Sequence, residues 1–234
     1  MSDTINFTID GKDCQGKKGQ SIIQAADDNG VYIPRLCYHP ELTPGGSCRI
    51  CTVNVNGRQM AACTTPVAEG MLIFNDTPEL QDMRRALVEM LFIEGNHFCP
   101  SCERSGNCEL QALAYRLGIM APRFPYMFPQ RTIDASHPQI YIDGNRCIQC
   151  GRCVRAAEEL DGKNILGFIG RGPFLKIKAS SSRGLAGVEI KPTDRCVQLC
   201  PVGTIIVKET AYRTPIGERQ YDKKPIGAEI EGSH

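Results

Sequence analysis

The sequence predicts an α+β chain in which 234 residues form a β-grasp domain, a small helical segment and a second compact α+β module. Three observations predict it. Alternating apolar residues with two hairpin dipeptides mark strands in the first third, and an apolar period of helical spacing marks the second. Eleven of the thirteen cysteines then fall into three groups, one to a module.

Ile5, Phe7 and Ile9 alternate with polar residues and end at Asp10-Gly11, the pattern of a strand entering a hairpin. Ser21-Ile22-Ile23-Gln24 forms a capping box whose hydroxyl and amide satisfy free N–H groups at a helix start; that helix should end at Asn29-Gly30. Thr52 to Val55 runs into Asn56-Gly57, which tolerates the positive φ of a two-residue turn, and a second strand follows toward Cys63. These elements make residues 1–78 the first domain. Thr77-Pro78 opens a helix with proline at its first position, and Leu80, Met83, Leu87, Met90 and Leu91 recur on one face until Gly95. A shorter helix, Glu109 to Leu117, completes the segment 79–120. Pro122, Pro125, Pro129 and Pro138 make 121–139 a wrapping linker without helix. The third module spans 140–208, and a polar extended tail, 209–234, has no core of its own.

The chain carries 27 basic against 26 acidic residues, so no global field favours nucleic acid or an anionic membrane. Met1-Ser2-Asp3-Thr4 starts no basic-then-apolar leader, and no run of about 18 apolar residues occurs, so membrane insertion is not expected. The sequence reads as cytoplasmic. A reducing compartment keeps thiols free for metal, and an odd cysteine count leaves a disulfide framework one partner short.

Cys37, Cys48, Cys51 and Cys63 offer four soft thiolates around a loop holding Gly45 and Gly46, where backbone N–H groups can approach bridging sulfides. That set suits a 2Fe-2S cluster; taken alone it also suits tetrahedral zinc. Cys99, Cys102 and Cys108, with His97 beside them, offer three thiolates and an imidazole, again compatible with a 4Fe-4S cluster or with zinc. Cys147, Cys150 and Cys153 with the distant Cys200-Pro201 read as a degenerate two-cluster ferredoxin, in which the fourth cysteine of each half ligates the other cluster. Ala157, Ile190 and Thr193 stand where the second cluster needs thiolates, so one complete 4Fe-4S site survives. Cys196 is then a buried relic and Cys14 a structural residue of the first hairpin. His39, His137 and His234 have no ligand context. Gly16 and Gly19 form no strand-GxGxxG-helix unit and no Walker loop exists, so no nucleotide site is expected.

The order of a 2Fe-2S domain, a one-histidine, three-cysteine segment and a CxxCxxC module resembles the N-terminal iron-sulfur part of the complex I large electron-transfer subunit. It is also similar to parts of iron-only hydrogenases and NAD-linked formate dehydrogenases. Superfamily members usually place three residues between the histidine and the next cysteine; here one separates His97 from Cys99. Glu94-Gly95-Asn96-His97-Phe98-Cys99-Pro100, Phe124-Pro125-Tyr126 and Arg171-Gly172-Pro173 resemble the small diaphorase subunit of soluble NAD-reducing nickel-iron hydrogenases and their bifurcating relatives.

The resemblance implies a β-grasp 2Fe-2S ferredoxin domain, a helical His/Cys 4Fe-4S segment and a bacterial-ferredoxin-like 4Fe-4S domain. It implies a non-catalytic electron relay with one 2Fe-2S and two 4Fe-4S clusters, in an oxidoreductase whose FMN and NAD sit on a partner diaphorase subunit. Hydrogenase small and large subunits are the further partners expected; an NAD-linked formate dehydrogenase or bifurcating complex is the alternative. From another class, a zinc-stapled scaffold stays open.

Overall fold

The structure, a computed structural model, describes residues 4–232, so Met1 to Asp3, Ser233 and His234 lie outside the described residues. Strands β1 (Thr4–Ile9) and β2 (Lys12–Lys17) form the first hairpin, turning at Asp10 and Gly11 with φ of 49° and 81°. Phe7 and Ile9 face the core, with Cys14 paired opposite Phe7. Helix α1 (Ile22–Asp28) shows both halves of the capping box: the Ser21 hydroxyl accepts from the Gln24 N–H, and the Ser21 N–H donates to the Gln24 side chain. It stops at Asn29. Strands β3 (Thr52–Val55) and β4 (Arg58–Ala61) turn at Asn56-Gly57, φ 48° and 84°.

A fifth strand, β5 (Leu72–Phe74), carries no signal in the sequence, because three residues are too few to display alternation. It pairs parallel with β1 and antiparallel with β3, giving the order β2-β1-β5-β3-β4. Ile22, Ile23 and Ala26 of α1 cover this sheet with Ile33, Val53 and Ile73 in a core of nearly inaccessible side chains.

Thr77 caps α2 (Pro78–Ile93), its hydroxyl accepting from the Leu80 N–H at 3.3 Å. The expected apolar face is displaced. Leu80, Leu87 and Leu91 do pack inward, but the deepest positions are Val88 and Arg84, while Met90 is 39% exposed. An arginine at the centre of the stripe is invisible to a hydrophobic period; it is buried here because backbone carbonyls receive it. Helix α3 (Glu109–Arg116) follows.

The proline stretch contributes β6 (Ile133–Asp134), which pairs with β7 (Ile140–Asp143). Helix α4 (Arg152–Glu159), the hairpin β8 (Leu166–Ile169) and β9 (Lys176–Ala179), and α5 (Arg195–Gln198) come next. Strand β10 (Ile205–Val207) completes a sheet of order β10-β7-β6, and α4 packs against α5. The tail is not extended to its end. Ile226 is buried, Gly227 lies against the Tyr32 ring, and α6 (Ala228–Glu231) pairs Glu231 with Arg116, strapping the first domain to α3. Among the described residues no helix is long and apolar enough to cross a membrane.

Candidate functional site

The cysteines at the first site come from the loop between α1 and β3 and from the turn after β4, which the β3-β4 hairpin returns beside that loop. Cys37, Cys51 and Cys63 are almost inaccessible. The Cys37 sulfur accepts from the Cys48 N–H at 3.5 Å and from the thiols of Cys48 and Cys63, which hold it well below the ordinary thiol range. Cys63 also donates to Cys51 and draws it down to about 7, while Cys63 itself is pushed up. The four sulfurs thus form an open string, Cys48, Cys37, Cys63, Cys51. Gly46, φ 65°, allows the loop its left-handed turn, and Gly45 lies flat against the Arg155 guanidinium.

At the second site Cys99 opens a short 3-10 turn, Cys102 ends it, and Cys108 caps α3. Burial pushes Cys108 up to about 12. The His97 ring meets Phe92 edge-on at 5.5 Å, and its Nε2 is buried without a hydrogen-bond partner. Burial, then the cations of Arg131 and Arg146, lower the imidazole to about 4, so it is neutral with a lone pair to give. A Cβ on Gly95 would collide with that nitrogen. Arg146 neighbours both His97 and Cys102, and Gly203 is wedged between Arg146 and the Cys102 sulfur.

At the third site a turn before Cys147, the left-handed Gln149 and Gly151, and the first turn of α4 present Cys147, Cys150 and Cys153, and the end of α5 brings in Cys200. Burial, and then the charge of the neighbouring sulfurs, pushes the first three thiols up, Cys147 to about 11 and Cys150 to about 12. A full set of thiolates there needs a cation to neutralise it.

The missing half of the ferredoxin pattern is plugged. Ala157, Ile190 and Cys196 are buried in the core. The Asp161 carboxylate accepts from the N–H groups of Arg195 and Cys196 at 2.8 and 2.9 Å, capping α5, while Asp194 accepts from Lys163 at 2.7 Å. The sequence does not single out these carboxylates, since nothing in their spacing marks them.

Spacing separates the metal alternatives. A zinc ion with Zn–S of about 2.3 Å holds four tetrahedral sulfurs about 3.8 Å apart. Among the described residues, the only three metal-capable side chains within 4.8 Å of one another are Asp161, Asp194 and Cys196, whose carboxylates already accept hydrogen bonds from backbone N–H groups and Lys163. Among the same residues, none of the three cysteine groups brings three sulfurs within 4.8 Å of one another, whereas a single zinc ion would hold them closer than that.

The sites are joined by specific bonds. Arg155 donates to the Cys37 carbonyl at 2.6 Å and to the Cys150 carbonyl at 3.3 Å, tying the first to the third. The Glu109 N–H donates to the Pro201 carbonyl at 2.8 Å, and Arg104 to the Cys200 carbonyl at 3.2 Å, tying the third to the second. The third site is thus tied to both of the others, a connection the linear sequence does not reveal. His39 and His137 each accept from a backbone N–H two residues on, as ordinary loop histidines.

Residues 2–78 match a 2Fe-2S iron-sulfur cluster binding domain. Residues 84–123 match the NADH-ubiquinone oxidoreductase-G iron-sulfur binding region, and 137–206 the ferredoxin-like domain of NADH-quinone oxidoreductase subunit 3. The chain is 43% identical over 233 residues to the gamma subunit of the NAD-reducing hydrogenase HoxS of Cupriavidus necator, covering 98% of each. It is 36% identical over 213 residues to the mitochondrial NADH-ubiquinone oxidoreductase 78 kDa subunit of Neurospora crassa, and spans 28% of that protein. A chain in the crystal structure of an NAD+-reducing NiFe-hydrogenase in the H2-reduced state superposes with a TM-score of 0.93 at 46% identity, covering 96% of each.

Proposed function

The chain belongs to the family of iron-sulfur electron-transfer subunits that includes the HoxS gamma subunit and the iron-sulfur part of the longer NADH-quinone oxidoreductase chains, and from that premise we propose a three-cluster relay within an NAD-reducing hydrogenase. Cys37, Cys48, Cys51 and Cys63 hold a 2Fe-2S cluster. His97, Cys99, Cys102 and Cys108 hold one 4Fe-4S cluster, and Cys147, Cys150, Cys153 and Cys200 hold the other. The clusters supply one-electron carriers; the protein's own work is to fix their order and surroundings.

The ties through Arg155 and the Pro201 carbonyl support the order first, third, second. One end faces a flavin- and NAD-binding diaphorase subunit, the other the hydrogenase small subunit and through it the large one. The observation that carries this reading is that all three cysteine-bearing modules, in chain order, match iron-sulfur domains, which favours clusters over a zinc staple. Protein purified without oxygen should contain about ten iron atoms with matching sulfide, and should co-purify with a flavin-containing subunit. Stoichiometric zinc with little iron would overturn it.

A further inference from the structure

Arg84 is wholly buried and its guanidinium has no carboxylate. It donates to the carbonyls of Ile50 at 3.1 Å, Thr52 at 2.9 Å and Asn75 at 2.7 Å, and to Asn75 Oδ1 at 2.8 Å. All four acceptors are neutral, and no ion pair includes it among the described residues. Other buried arginines differ: Arg35 is paired with Asp27 and Arg152 with Glu109. Neutral acceptors satisfy the donors but leave the buried charge itself uncompensated, which is costly. The negative groups that sense Arg84 are Asp76, Cys51 and Asp10. Both aspartates are exposed, where water screens them. Cys51 is buried, and Ile50 and Thr52, whose carbonyls Arg84 grips, flank it in sequence.

We propose that Arg84 is the fixed counter-charge of the first cluster, a positioning residue that holds the Cys51 loop and favours the reduced state. This rests on the reading of Cys37, Cys48, Cys51 and Cys63 as 2Fe-2S ligands. With four thiolates the oxidised cluster is a dianion; one electron from the partner's reduced flavin makes one ferric iron ferrous and the whole a trianion. No bond is made or broken and Arg84 keeps its proton. A cation in a dry site gains more from the trianion, which raises the midpoint potential.

Potentiometric titration followed by EPR tests this on the full chain loaded with its clusters. Arg84→Gln removes the charge. Asn75→Asp keeps every Arg84 donor but gives it a carboxylate, diverting its field. Both should lower the midpoint of the 2Fe-2S signal alone, a tenfold fall in the reduction constant reading as 59 mV for one electron. Arg84→Lys should stay within about threefold of native, since the charge remains. If Arg84→Gln emerges without the first cluster, Asn75→Asp decides. Loaded variants with the native midpoint would reduce Arg84 to a structural staple. A native chain lacking any 2Fe-2S signal fails the site reading itself, a different result from a native signal that the variants leave unshifted.

Discussion

His97, proposed as the fourth ligand of the second cluster, is singled out by what it lacks. Its Nε2 is buried and unpartnered, and Gly95 leaves the only room for it. Gly95→Ala should therefore displace the imidazole and perturb the second cluster's EPR signal while the other two persist. His97→Ala should do the same, and His97→Cys should restore the cluster at a lower potential, because a thiolate adds negative charge. Cys200→Ser should cost the third cluster, about four iron atoms, whereas Cys196→Ser, packed in the plugged half, should leave iron content and spectra unchanged. Cysteine spacing sorts eleven thiols into three groups in the sequence, and His97 is proposed from its place beside the second. Arg84 and Arg155 are not legible there, because a guanidinium that reaches a carbonyl far along the chain leaves no local pattern.

Elements are legible in proportion to their length and their end signals. The Ser21 and Thr77 caps and the two hairpin dipeptides mark α1, α2 and four strands, since each encodes a local bond or a positive φ. Strands β5 and β6 hold too few residues to show a period, and their pairing comes from neighbours distant in sequence. The tail departs from its expected extended course for a related reason: one buried isoleucine and a glycine beside an aromatic ring are enough to dock it. Ile226→Ala should destabilise the protein by about 2–4 kcal/mol, the range for a buried aliphatic truncation. Denaturant titration against the native chain checks this, and a change near zero would mean the strap carries no load. Ser21→Ala should cost about 1 kcal/mol through the lost capping bond.

At the scale of the whole molecule, the three modules are joined because their cysteine-bearing loops bond to one another. Arg155 reaches backbone carbonyls of both the first and the third sites. Arg155→Gln, at a half-buried position, should leave all iron in place but slow electron exchange between those clusters. Rapid freeze-quench EPR after a reductant pulse would show the 2Fe-2S signal appearing before the third cluster equilibrates. Unchanged kinetics would assign that spacing to the surrounding packing instead.

The plugged half of the third module has a consequence for any attempt to build a second cluster there. Changing Ala157, Ile190 and Thr193 to cysteine would restore a full set of thiols around Cys196, yet the sequence change alone would not restore a cluster. A buried dianion would meet Asp161 and Asp194, and removing Asp161 would uncap α5, the helix that delivers Cys200 to the surviving site. The carboxylates thus act as a ratchet: each route to a second cluster runs through damage to the helix that positions Cys200.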